Sequence, residues 1–173
     1  AYALLNQKER LAQKTGTSFI ISTIADLSET SLPQEFSGTR LTNDAADSLN
    51  DPNIDIVVEL IGGMEPAKRF ILQAIANGKH VVTANKALLS VHGQEIFKAA
   101  AAQNVEVGFE ASVGGGIPVI KALKEGLVAN RILSIEGIMN GTANYILSQM
   151  TNYGTPFAEV LKEAQDLGYA EAD

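Results

Sequence analysis

The run IDIVVELI at residues 54–61 is apolar almost throughout and is ended by Gly62 and Gly63. A strand with one wet face alternates apolar and polar side chains, so a near-continuous run reads as a strand buried on both faces, the kind found in parallel sheets. The residues after it keep that rhythm. Ala67, Phe70, Ile71, Ala74 and Ile75 share one helical face, with Pro66 suited to the first turn and Gly78 to the stop. HVVTA at 80–84 reads as the next strand, Ile96, Phe97, Ala100 and Ala101 mark another helix, and VEVGF at 105–109 another strand. Strand and helix in alternation predict an α/β fold, a doubly wound, Rossmann-type parallel sheet covered on both faces.

Upstream, Leu4, Leu5, Leu11 and Ala12 give residues 2–14 an amphipathic helical pattern stopped by Gly16, and FIISTIA at 19–25 reads as a strand. Residues 26–40 carry a proline, a glycine and several hydroxyls and read as loop, and NDAADSLN reads as a short helix capped by Asn43. The first strand of such a sheet should precede Tyr2, so the sheet is expected to be truncated there. Ala1 at the start and GYAEAD at the end suggest a piece of a longer protein. Beyond the triple glycine the rhythm changes, with a helix expected at 118–125, a strand at 132–139, and a helix at 142–152 on the Ala143, Ile146, Leu147, Met150 stripe. A last helix at 157–167 is closed by Gly168. These patterns divide the chain into an incomplete sheet domain at 1–112 and the beginning of an α+β domain at 113–173.

With 46% hydrophobic residues in 173, the chain can build a real core. It contains no cysteine, which excludes a disulfide framework, a thiolate zinc site and aldehyde chemistry through a thiohemiacetal, and fits a reducing, cytoplasmic setting. The net charge of −7 and the scattered lysines argue against a nucleic-acid partner. No apolar run approaches the roughly 20 residues of a membrane span, and the amino terminus lacks a signal-peptide layout.

Open α/β sheets bind ligands outside the carboxyl ends of their strands. Three such places stand out. Gly62 and Gly63 let the backbone approach a flat or charged ligand, or simply make a turn, and Glu59 falls inside the strand before them. Lys86, in TANK at 83–86, is able to hold a carboxylate or pass a proton, or is merely solvated. In FEASVGGGIPVI at 109–120, Glu110 stands before a glycine-rich bend whose carbonyls, with the carboxylate, supply oxygen ligands for a hard cation; a tight domain crossover explains the same glycines. Asn140 and Gly141 read as a turn with Thr142 able to cap a helix. Glu171 and Asp173 lie just past a helix end, where acids oppose the helix dipole, and so favour a ligand such as an ammonium group. His80 and His92 lack partners at metal-ligand spacing and read as structural.

Together VVELIGG, GKHVVTANKALL, FEASVGGGIPVI, GIMNGTANYIL and AQDLGYAEAD, in this order, closely resemble the homoserine dehydrogenase family from Ile54 onward. The first fifty residues carry only the family's helix and strand pattern. The resemblance implies NAD(P)-dependent interconversion of L-aspartate 4-semialdehyde and L-homoserine, on the route to threonine and methionine, in a homodimer. It makes 1–112 the NAD(P)-binding domain and 113–173 part of the substrate and dimerisation domain. It implies a sodium ion held by the Glu110 carboxylate and the carbonyls of Val113, Gly115 and Ile117. Lys86 then lies near nicotinamide and substrate, Glu171 binds the substrate's amino group, and Gly62, Gly63 and Gly168 meet the cofactor.

The family's glycine-rich dinucleotide loop would precede Ala1, and its catalytic aspartate and principal catalytic lysine would follow Asp173. The whole protein is therefore expected to be active and this chain alone weak or inert. Asp26, at the end of the second strand, is where an acid favours NAD and a basic residue NADP; it is equally able to cap the turn DLSE, and the preference stays open. Other readings are a second Rossmann-type reductase, which would favour glutamate-lysine-proline where this chain has TANK, and an inert nucleotide-binding regulatory module.

Overall fold

The computed structural model describes residues 1–28, 31–138 and 140–170. The chain forms two compact units, Ala1–Lys121 and Ala122–Asp173. In the first, helices α1 (Tyr2–Asn6) and α2 (Lys8–Thr15) replace the single helix expected, separated at Gln7, and Gly16 ends α2 at φ 70°. Strand β1 (Thr23–Ala25) pairs in parallel with β2 (Arg40–Thr42). β2 was not expected from the sequence, and β1 is shorter than the apolar run around it because only three residues find partners. Helix α3 (Ala46–Leu49) starts two residues later than a cap at Asn43 would give, after a turn in which Asp44 Oδ1 accepts the Ala46 N–H at 2.8 Å.

The remainder of this unit keeps the expected alternation: β3 (Ile56–Glu59), α4 (Ala67–Ala76), β4 (His80–Thr83), α5 (Lys86–Gln103) and β5 (Val107–Gly108). β3, β4 and β5 form one parallel sheet in that order, with Val57 opposite Val81 and Val81 opposite Val107. Gly78, at φ 74°, lets the chain leave α4, and Asn104 at φ 54° does the same for α5. Lys79 is buried because its ammonium group donates to the carbonyls of Asp51 and Ile54, tying the turn before β3 to the start of β4. The order β2-β1 and β3-β4-β5 matches the two flanks of a doubly wound 3-2-1-4-5-6 sheet. Among the described residues no strand bridges β1 and β3.

The core lies between this sheet and α4 with α5. Ile71, Ile75, Val81, Leu88 and Ile96 are fully buried there, and truncating such a side chain to alanine typically costs about 2–5 kcal/mol. The opposite face is bare, contrary to the expectation for 54–61: Ile56, Val58 and Val82 are 41%, 52% and 40% exposed. The reason is topological. Parallel strands added successively in one direction receive their crossover helices on the same side.

After β5 a tight turn at Glu110–Ser112 leads through the glycines to α6 (Val119–Lys121). The second unit opens with a wide helical turn, Ala122–Gly126. It is then built on α7 (Gly141–Tyr153) packed against α8 (Phe157–Asp166), with Ile146, Val160 and Ala164 buried between them. Asn140, rather than Thr142, caps α7 by accepting the Ala143 N–H at 2.9 Å. Gly168, at φ 74°, closes the turn after α8 as expected. The strand expected at 132–139 does not form among the described residues, and Met139 lies outside them. Ile132, Leu133, Ile135 and Ile138 are exposed.

Candidate active site at the carboxyl ends of the strands

The carboxyl ends of β3 and β4 meet through side chains set by strand register. Glu59 ends β3 directly opposite Thr83, the end of β4, so both side chains leave the same face of the sheet. The Thr83 hydroxyl donates to Glu59 Oε2 at 2.6 Å, while Oε1 accepts the N–H groups of Ile61 at 2.7 Å and Gly62 at 3.0 Å. Thr83 Oγ1 in turn accepts the Asn85 N–H at 3.0 Å. Asn85 then works in two directions. Its Nδ2 donates to the Gly63 carbonyl at 2.7 Å, and its Oδ1 accepts the Leu88 N–H at 3.0 Å and caps α5.

A buried carboxylate is tolerated only when hydrogen bonds replace its water, and Glu59, 4% exposed, has three donors. The turn it holds carries Gly62 at φ 78° and Gly63 at φ 67°, where a side chain would be strained. A Cβ at either position would meet nothing within 4 Å, so close packing inside the chain does not explain these glycines. Lys86 is the first residue of α5, with its side chain exposed. A cation there opposes the helix dipole, and together they make this corner attractive to a negatively charged group. Asn85 thus ties the Gly62–Gly63 turn to the start of the helix that begins at Lys86. Glu59, Thr83 and Asn85 were not singled out as site residues, although an acid inside an otherwise apolar strand, just before two glycines, was a visible signal.

The loop after β5 departs from the cation reading in one respect. Both Glu110 oxygens face backbone amides, Oε1 accepting from Ile120 at 2.9 Å and Oε2 from Lys121 at 2.9 Å, so the carboxylate caps α6. The Ile117 carbonyl accepts the Val119 N–H at 2.8 Å. Gly114 and Gly116 have φ of 67° and 80°, and Val113 is extended. Val113, Gly115 and Ile117 thus belong to the same bend as Glu110. Asp26 comes directly after β1, where its Oδ1 accepts from the Ser28 N–H at 2.8 Å and hydroxyl at 2.7 Å, the turn-capping role. Gly168 belongs to the second unit, and Glu171 lies outside the described residues.

Two family models match the chain: "Homoserine dehydrogenase, NAD binding domain" over residues 2–110 and "Homoserine dehydrogenase" over residues 118–173. The homoserine dehydrogenase of Neisseria gonorrhoeae is 53% identical over 173 residues, 100% of this chain and 40% of the relative. That of a Synechocystis species is 61% identical over 133 residues, 77% of this chain and 31% of the relative. The crystal structure of a homoserine dehydrogenase from Thiobacillus denitrificans superimposes with a TM-score of 0.84 at 52% identity, covering 99% of this chain and 40% of that one. The chain thus spans well under two thirds of the length of these relatives. Fold, strand-end geometry and matches over nearly every residue agree: this chain belongs to the homoserine dehydrogenase family.

Proposed function

We propose that the whole protein carrying this chain interconverts L-aspartate 4-semialdehyde and L-homoserine, using NAD or NADP, in threonine and methionine biosynthesis. The observation that supports this reading is the hydrogen-bonded junction that ties the Gly62–Gly63 turn to Asn85, the cap of the helix that begins at Lys86, inside the segment matched by the NAD-binding family model. Residues 1–112 serve the nucleotide and 113–173 begin the substrate and dimerisation domain of a cytoplasmic homodimer. A bound nicotinamide supplies or takes up the hydride at the aldehyde carbon. Gly62 and Gly63 offer it a face without side chains, and Gly168 and Asp26 contribute further cofactor contacts. The turn-capping role of Asp26 leaves NAD and NADP both open.

Lys86 provides an ammonium group that orients the substrate carboxylate or gives a proton to the oxygen as the alcohol forms, and receives it in the reverse direction. Glu171 holds the substrate's amino group. The Glu110 carboxylate with the carbonyls of Val113, Gly115 and Ile117 would hold a sodium ion whose part is to order the bend between the domains, since a monovalent ion is a weak Lewis acid. Assaying the whole protein for homoserine-dependent reduction of NAD or NADP tests this reading. Turnover that falls about a hundredfold or more in Lys86→Met supports it. No homoserine-dependent reduction of either cofactor would refute it.

A further inference from the structure

Glu59 has no assigned part in binding or chemistry, yet it is the one buried carboxylate among the described residues. It accepts the part-buried amides of Ile61 and Gly62, in a turn whose Leu60 and Ile61 are 73% and 58% exposed. A carboxylate that accepts three hydrogen bonds there fixes the conformation of the turn. Its second oxygen reaches Thr83, Thr83 reaches Asn85, and Asn85 holds both the Gly63 carbonyl and the first turn of α5. The two ends of that chain of bonds are the glycine turn and the backbone that carries Lys86.

Resting on the functional reading above, we propose that Glu59 is a positioning residue: through the Thr83 hydroxyl it locks the Gly62–Gly63 turn and Lys86 into one rigid frame, so cofactor binding and proton handling are set together. Charge and shape both matter to this frame. A glutamine in place of Glu59 has one oxygen for two sets of donors. If that oxygen faces Ile61 and Gly62, the amide nitrogen meets a Thr83 hydroxyl left without an acceptor. If it faces Thr83, two amide donors meet a third. Either arrangement loosens one end of the frame. A purely architectural Glu59 would lower the melting temperature and leave ligand binding and turnover alone.

The test uses the whole protein and four forms: wild type, Glu59→Gln, Thr83→Val and Thr83→Ser. Cofactor Kd is read from nicotinamide fluorescence, kcat and homoserine KM at saturating cofactor, and Tm in parallel. Glu59→Gln and Thr83→Val are expected to raise the cofactor Kd about tenfold, the size of a lost hydrogen bond to a charged group, and to lower kcat by a similar factor as Lys86 shifts. Thr83→Ser, which keeps the hydroxyl, is expected to restore both to within about twofold of wild type. Should Glu59→Gln fail to fold, the near-isosteric Thr83→Val and its serine control decide the matter. A fall in Tm with wild-type Kd and kcat overturns the inference, as does a Thr83→Ser protein that behaves like Thr83→Val. A wild-type protein that binds neither NADH nor NADPH overturns the functional reading itself, and this inference with it.

Discussion

Three adjacent glycines, Gly114, Gly115 and Gly116, look equivalent in the sequence but are not equivalent in the backbone. Gly114 and Gly116 lie at positive φ, where an L side chain costs about 1–2 kcal/mol, whereas Gly115 does not. A Cβ on Gly114 would stand 3.9 Å from Ile117 Cβ and from Val119 Cγ1, an ordinary contact, so the penalty there is conformational rather than steric. Gly114→Ala is therefore expected to lower stability in chemical denaturation by about 1–2 kcal/mol, and Gly115→Ala by less than about 0.5 kcal/mol. Equal losses for the two would contradict this account of the bend. The sequence revealed that the loop needed glycine; which of the three needed it depends on φ values that no residue name carries. Glu110 teaches the same limit. Its oxygens meet two amides ten and eleven residues onward, a contact that spacing alone cannot foretell.

Among the elements, α4 and α8 were legible because strong helical periodicity and a glycine stop agree with one another, whereas α5 showed only in its second half, at Ile96, Phe97, Ala100 and Ala101. The cap residues were not legible. Asn140 caps α7 where Thr142 was expected, and α3 starts from Ala45 with no side-chain cap where Asn43 was expected, since any of these polar side chains suits a helix start and local backbone geometry selects. β2 escaped notice for a different reason: RLT has a single large apolar residue, and its strand character comes from pairing with β1. In the second unit, α7 and α8 are joined at their surface by the Tyr145 hydroxyl, which donates to Glu163 Oε1 at 2.8 Å. That bond raises the Tyr145 phenol above its ordinary ionisation range, with burial and the Glu163 charge adding to it. A raised folded-state pKa means that the bond's contribution is fully present below the ordinary phenol value of about 10 and is lost as pH rises through the higher folded value. Ultraviolet titration should show a late-ionising phenol component that is lost in Tyr145→Phe. A Tyr145→Phe titration superimposable on wild type would contradict the assignment.

At the scale of the molecule, the parallel sheet and the alternation of strand and helix were readable from periodicity, but the coverage of the sheet was not. Continuous apolar strands signal burial on both faces, and β3 instead leaves Ile56 and Val58 exposed, because α4 and α5 both lie on the other side. The described residues contain no helix long and apolar enough to cross a membrane. The sequence drew attention to the ends of β3 and β4, and there Glu59 holds the Gly62–Gly63 turn while Asn85 links that turn to the start of α5. A crystal structure of the whole protein with an oxidised nicotinamide cofactor and L-homoserine tests the central claim most directly. The account predicts the nicotinamide ring against the Gly62–Gly63 turn, with Lys86 Nζ within hydrogen-bond reach of the substrate. A nicotinamide seated away from that turn, with Lys86 remote from both ligands, would contradict it.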